Sequence, residues 1–135
     1  MKRIIKFRGK RIDNNEWVYG YLVAIQDERF AIKNTVYNVN NGRIDIIPTE
    51  VHTESVGQFT GISDKNGKEI YEGDIVNYQH SKDANAYTGE IFWKSNFASF
   101  WIKSGEDSGF GLLGQQQVIE VIGNIHKKYP PPCNQ

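Results

Sequence analysis

Gly89-Glu90-Ile91-Phe92-Trp93-Lys94-Ser95-Asn96-Phe97-Ala98-Ser99-Phe100-Trp101-Ile102-Lys103 is the stretch that decides the fold. Its side chains alternate in character with period two, the spacing of a strand that buries one face. Strands are predicted over Thr88 to Lys94 and Phe97 to Lys103. On the first, Ile91 and Trp93 point inward, and Phe92 lies between Glu90 and Lys94 on the outer face. On the second, Ala98, Phe100 and Ile102 form the inner set, while Ser99, Trp101 and Lys103 form the outer one. Two large rings, Phe92 and Trp101, are thus expected on neighbouring strands of an outer face, with Lys103 beside them. A face of that kind marks an interface.

The same period runs through most of the chain, and no window shows a helical stripe bounded by caps. Further strands are predicted at Ile4 to Arg8, Trp17 to Ile25, Phe30 to Lys33, Thr35 to Val39, Arg43 to Ile47, Ile75 to Tyr78 and Val118 to Ile125. Turn residues separate them. Asp13-Asn14-Asn15 and Asn40-Asn41-Gly42 tolerate the positive φ of tight hairpins. In Asp64-Lys65-Asn66-Gly67 the carboxylate is placed to accept amides two residues on, which predicts a chain reversal. Thr49 to Gly61 alternates less cleanly and reads as a loop or short helical turn between two β units. Trp17, Tyr19, Tyr21 and Val23 share one strand face and are read as core.

The expected fold is therefore mostly β: an N-terminal β meander over residues 1–60, packed on a second unit over residues 61–128, with a disordered tail at 129–135. In the second unit, Glu72-Gly73-Asp74-Ile75-Val76 leads a chain into a first long strand. The polar segment Gln79 to Ala86 and the two aromatic strands follow. Bent strands joined in this order resemble SH3-like barrels.

Charge narrows the partners. Sixteen Lys and Arg offset sixteen Asp and Glu in 135 residues, whereas proteins held to nucleic acid by phosphate contacts carry a basic excess. Nucleic acid is thus a disfavoured partner. No apolar run approaches the roughly 20 residues that span a bilayer, so no membrane partner is expected. Lys6 and Arg8 interrupt what would be the apolar part of an export signal. The single cysteine, Cys133, fits a reducing cytoplasm. The basic run Lys2, Arg3, Lys6, Arg8, Lys10 and Arg11 contains no acid. With Ile5 and Phe7 in the core, Lys6 and Arg8 project together on the other side. The plain reading is a solvated edge strand guarded by charge; the sharper one is a stripe that holds phosphates.

Catalytic and cofactor motifs fail on spacing or context. Gly61 to Glu69 has the wrong glycine spacing for a phosphate loop, and Glu69 replaces the Ser or Thr that binds magnesium. Gly109-Phe110-Gly111-Leu112-Leu113-Gly114 has dinucleotide glycine spacing but no helix to follow it, and reads as a glycine-rich loop with two buried leucines. Ser104 to Gly109 reads as a mobile loop. His52, His80 and His126 lack the spacing that brings two imidazoles to one metal. No Gly-x-Ser-x-Gly elbow is present, and the pairs Glu72/Asp74 and Glu106/Asp107 sit in turns, not across a cleft. No enzyme, metal or cofactor is expected.

Three segments are similar to the YopX-like family of bacteriophage and prophage proteins: Ile5-Lys6-Phe7-Arg8-Gly9, the long run Val56-Gly57-Gln58-Phe59-Thr60-Gly61-Ile62-Ser63-Asp64-Lys65-Asn66-Gly67-Lys68-Glu69-Ile70-Tyr71-Glu72-Gly73-Asp74-Ile75-Val76, and Ile119-Glu120-Val121-Ile122-Gly123-Asn124-Ile125-His126. The resemblance implies a small β-rich protein of phages or prophages, without an established activity and with no catalytic residue to carry over. The expected function is a non-catalytic binding or assembly module in a bacterial cytoplasm, associating with a protein partner or with itself as a homo-oligomer. The alternative is single-stranded or structured nucleic-acid binding, with Lys6 and Arg8 on phosphates and Trp101 stacked on a base. A third is an enzyme of unrecognised type.

Overall fold

The computed structural model describes residues 3–81, 83–105, 108–112 and 118–126, apart from the side chains of Thr35 and Val36. The expectations for the 129–135 tail, Cys133, Lys2, Glu106, Asp107, Leu113 and Gly114 fall outside these residues. The chain is mostly β, with strands β1 Phe7–Lys10, β2 Trp17–Gln26, β3 Arg29–Asn38, β4 Arg43–Val51, β5 Gly57–Ser63, β6 Glu69–Tyr71, β7 Asp74–Gln79, β8 Tyr87–Lys94, β9 Ser99–Lys103, β10 Gly109–Gly111 and β11 Val118–Asn124. Hydrogen bonding orders them β4-β3-β2-β1-β5-β6 and β10-β9-β8-β7-β11 in two antiparallel sheets. The chain divides into two compact units near Gln58 and Phe59.

In residues 4–58, β1 to β4 form a meander linked by tight turns. Asn15 at φ 57 and the Arg11–Asp13 pair close the first turn, and Gly42 at φ 68 closes the third. β3 is continuous where two strands are expected, and pairs without a break from Phe30 opposite Val51 to Asn38 opposite Arg43. The core is Val18, Ile32 and Val51, with Phe7, Leu22, Phe30 and Val56 against it. The expected loop before residue 61 is a 3₁₀ turn at Thr53–Ser55, followed by β5. Ser55 is fully buried. Its hydroxyl accepts the Lys10 amide at 2.7 Å and donates to the His52 carbonyl at 2.6 Å, which fastens that turn to β1.

Two expectations here are corrected. β2 buries Val18 and packs the half-buried Leu22 against the core, while Tyr19 and Tyr21 are 44% and 65% exposed, so the aromatic set is the outer face. Both faces of β2 are apolar, and it is Val18 and Leu22 that meet Ile32 and Val51 in the core. A Cβ at Gly20 would stand 2.2 Å from the carbonyl oxygen of Lys33 on the paired strand β3. The second correction concerns β1, which runs between β2 and β5 and is no edge strand. Ile5 precedes it and is exposed, whereas Arg8 is only 4% exposed, with its guanidinium 4.2 Å from the centre of the Trp17 ring.

In residues 59–127, the core is Ile70, Val76, Tyr78, Ile91, Ile102 and Ile119, with Ile62, Leu112 and Val121 against it. β7, β8, β9 and β10 follow as a meander, and β11 returns beside β7 with a bulge between Val121 and Gly123. The Asp64 turn forms as expected and does more. One carboxylate oxygen accepts the amides of Asn66 at 2.8 Å and Lys68 at 2.9 Å, and the other accepts Val121 at 3.0 Å. Gly73, at φ 89, leads into β7 with the Asp74 carboxylate accepting the Tyr71 amide at 2.8 Å. A Cβ at Gly73 would stand 2.7 Å from His126 Nε2.

The strand expected over Phe97 to Lys103 is interrupted. Ser95–Phe97 is a 3₁₀ turn and Ala98 adopts φ 49, so Ala98 is exposed and β9 begins at Ser99. Trp93 lies on the side of Ile91 by alternation, yet it is the next-to-last residue of β8 and is 42% exposed.

Two outcomes follow from this packing. Burial is the strongest influence on Asp64 and raises its pKa, but the Val121, Lys68 and Asn66 amides and the Lys68 charge together hold it below the usual carboxylate range. A depressed carboxylate stabilises the fold fully above its unfolded pKa and loses that contribution as pH falls through the folded one. Asp64→Ala should lose about 3 kcal/mol in urea unfolding at neutral pH, with the gap to the parent narrowing in acid. Arg8→Ala removes a buried stem and a stacked guanidinium, and should cost about 2 kcal/mol in the same measurement.

Candidate functional site

The outer face of β8 and β9 carries the residues singled out by alternation. Register places Phe92 directly opposite Trp101, Glu90 opposite Lys103, and Lys94 opposite Ser99. Phe92 and Trp101 are both half-buried, and Lys103 is exposed beside the carboxylate strand neighbour it faces. The turn before β9 adds a ring that alternation alone missed. The left-handed Ala98 folds the chain back so that Phe97, 60% exposed, lies 5.0 Å from Trp101 at an interplanar angle of 30°. Lys94 Nζ stands 4.9 Å from the centre of the Trp101 ring and 5.6 Å from that of Phe97. Trp101 Nε1 donates to Ser99 Oγ at 3.0 Å, which fixes the indole edge. The result is a patch of three aromatic side chains topped by one ammonium group. The signal for Phe97 was the Ser95-Asn96 pair ahead of it, two residues that favour turns over strand interiors.

On the other side of the same strands Trp93 and Phe100 meet edge to face at 5.0 Å. Another aromatic group gathers around the buried ring of Tyr78, with His80, Tyr87 and Phe110 at 5.8–5.9 Å.

Lys6 and Arg8 belong to residues 4–58. Lys6 is half-buried just before β1, and Arg8 is committed to the Trp17 ring, with Lys10 Nζ 5.0 Å from the same ring. Burial of Arg8 removes the paired stripe that alternation suggests.

Titratable groups line two hollows formed by described residues. One of about 410 Å³ is lined by Arg11, Ile12, Asp13, Ile47, Pro48, Thr49 and Glu50. Its carboxylates are matched: a hydrogen bond from Arg11 holds Asp13 below its usual range, and one from Arg29 does the same for Glu50. The other, about 200 Å³ and beside Tyr78, holds Lys65 and Glu120, which pair at 2.8 Å. Among the described residues no group of three or more His, Cys, Asp or Glu side chains could hold a metal ion. His52 instead meets Asn15 Oδ1 at 2.8 Å, and His126 is buried. Among the described residues no helix is long and apolar enough to cross a membrane.

Comparison with known proteins gives family and fold. The crystal structure of protein EF1440 from Enterococcus faecalis aligns with a TM-score of 0.57 at 24% sequence identity, over 94% of this chain and 96% of that one. At such identity the likeness is one of fold. No curated protein matches. The family model described as YopX protein matches residues 6–129. Because that match spans most of the 135 residues, the chain belongs to the YopX family.

Proposed function

We propose that this YopX-family protein is a non-catalytic binding or assembly module of a phage or prophage, acting in the bacterial cytoplasm through association with a protein partner or with itself. The observation that carries this reading is the patch formed by Phe92, Phe97 and Trp101 under Lys94. Aromatic side chains bury large areas at small cost in rotamer entropy, which is why they anchor protein interfaces. The exposed Lys103 and the half-buried Glu90 opposite it supply a polar rim of both signs.

Connectivity supports an SH3-like reading of residues 61–128. Four strands run as a meander and the fifth returns beside the first, in the order β11-β7-β8-β9-β10. Such connectivity hosts many unrelated functions, so the reading rests on the aromatic patch itself.

The structure also weighs on the nucleic-acid alternative. A base stacked on Trp101 would compete with Lys94 and Phe97 for the same ring, and Arg8 is buried. Light scattering over a concentration series should therefore show mass above that of one chain or of its complex with an added partner protein, and Trp101→Ala should weaken that association at least tenfold. Single-stranded and duplex probes at two salt concentrations should give no gel shift. A shift at low salt that fades at high salt would favour nucleic acid instead.

A further inference from the structure

The register of β2 against β3 runs from Gln26 opposite Arg29 to Tyr21 opposite Lys33. β3 continues to Asn38 with β4 as its register partner, which leaves residues 34–47 as a two-stranded ribbon. Such a ribbon is marginal in water without a third layer or strand. Five of its described apolar side chains are nevertheless open: Tyr37, Val39, Ile44, Ile46 and Ile47 range from 48% to 80% exposed. Tyr37 faces Ile44 across the ribbon, and Ile46 follows on the same face. The tip is firmly built. Asn38 Oδ1 accepts the Asn40 amide, Asn41 Oδ1 accepts the Arg43 amide, and Gly42 donates to the Asn38 carbonyl, each at 2.9 Å.

β4 also ends the strand order of its sheet. Edge strands are ordinarily guarded by charge, proline or a bulge. Pro48 guards the inner part of β4, whereas Arg43 to Ile47 contains no proline, pairs with β3 without a register shift, and carries charges of both signs, Arg43 and Asp45, which repel a second copy in some registers and attract it in another.

We propose that this outer part of β4 is where two copies of the chain pair, edge to edge and antiparallel, about a two-fold axis at Ile44. The inference goes beyond the aromatic-patch reading above and stands on a different surface. Charge selects both the occupant and the register. About an axis at Ile44, Arg43 of each copy faces Asp45 of the other, so two ion pairs form, and Ile44 meets its own counterpart. An axis at Asp45 sets carboxylate against carboxylate, and one at Arg43 sets guanidinium against guanidinium, both unfavourable between directly opposed residues. An axis at Ile46 leaves Arg43 facing Thr49 and brings Pro48, which cannot donate, into the ladder. A segment that matches itself in one register is the mark of an isologous contact. The paired ribbons make a four-stranded sheet in which Ile44, Ile46 and Tyr37 of both copies form one apolar face.

Sedimentation equilibrium of the full chain reads this directly. The parent should dimerise, and Arg43→Asp or Asp45→Arg alone should raise the dimer dissociation constant at least tenfold, by opposing like charges twice. The double variant Arg43→Asp/Asp45→Arg should return to within about threefold of the parent, because the pairs re-form with signs exchanged. Recovery in the double variant also shows that the single changes did not act by unfolding the ribbon. A parent that stays monomeric, single variants without effect, or a double variant that stays weak would overturn the proposal. Dimerisation lost in Trp101→Ala but intact in the charge variants would overturn the ribbon contact and leave the aromatic-patch reading standing. The reverse pattern would leave the ribbon contact standing and remove self-association from that patch.

Discussion

The Asp64 carboxylate is the constraint on which the second sheet depends. It gathers two amides of its own turn and one from Val121, 57 residues further along. Lys65 adds a main-chain bond to Ile119 at 2.9 Å, so the turn and β11 are joined twice. Nine residues on from Asp64, Gly73 donates to the Ile91 carbonyl and accepts from the Ile125 amide, both at 2.9 Å, while Asp74 closes on Tyr71. One segment, residues 64–74, thus ties β8 and β11 into a sheet whose strands are distant in sequence. Non-local pairing carries the heaviest loop-closure cost, and a carboxylate that serves three amides offsets it where a single backbone bond would not. The same segment forms the centre of the run Val56 to Val76 that resembles the YopX family.

What was legible in the sequence followed from alternation and turn chemistry. Ile91 and Ile102 are fully buried opposite one another, Phe92 faces Trp101, and Asp64 accepts the amide two residues on. Alternation fails where both faces of a strand are apolar. On β2 the larger side chains, Trp17, Tyr19 and Tyr21, invite a core assignment, but hydrophobicity does not decide between two apolar faces. Contact with residues far along the chain does, and Val18 and Leu22 are the ones that meet Ile32 and Val51. β5, β6 and β10 escaped notice for another reason. Two of them have three residues, and Gly61 at φ 89 sits in a shift between Phe59 and Ser63 that breaks the period of the third.

The candidate surface was legible to a similar depth. Phe92, Trp101 and Lys103 come together as alternation requires, because they depend on only two paired strands. Phe97 joins them through the left-handed Ala98, which caps the Ser95–Phe97 turn in a conformation that alanine rarely adopts and that its residue type does not announce. Arg8 illustrates the opposite case. Its place in a basic run points to solvent, but a strand between two others has no free edge, and the guanidinium lies over an indole instead.

The acidic residues give a physical reason to look for binding before chemistry. A general acid or base needs a carboxylate with spare hydrogen-bonding capacity beside a cavity. Asp64 spends both oxygens on three amides, Asp74 closes the β6–β7 turn from within the core, and Asp13, Glu50 and Glu120 each face a cation. Beside these groups the fold exposes apolar side chains: the rings around Trp101 and those of the β3–β4 ribbon. Exposed isoleucines confer no catalytic property and carry a standing solubility cost, near 25 cal/mol for each Å² kept in water. They become favourable only when another surface removes that area from solvent. For the ribbon, alternating charges of opposite sign at Arg43 and Asp45 flank Ile44, so the surface best matched to it is a second ribbon of the same sequence.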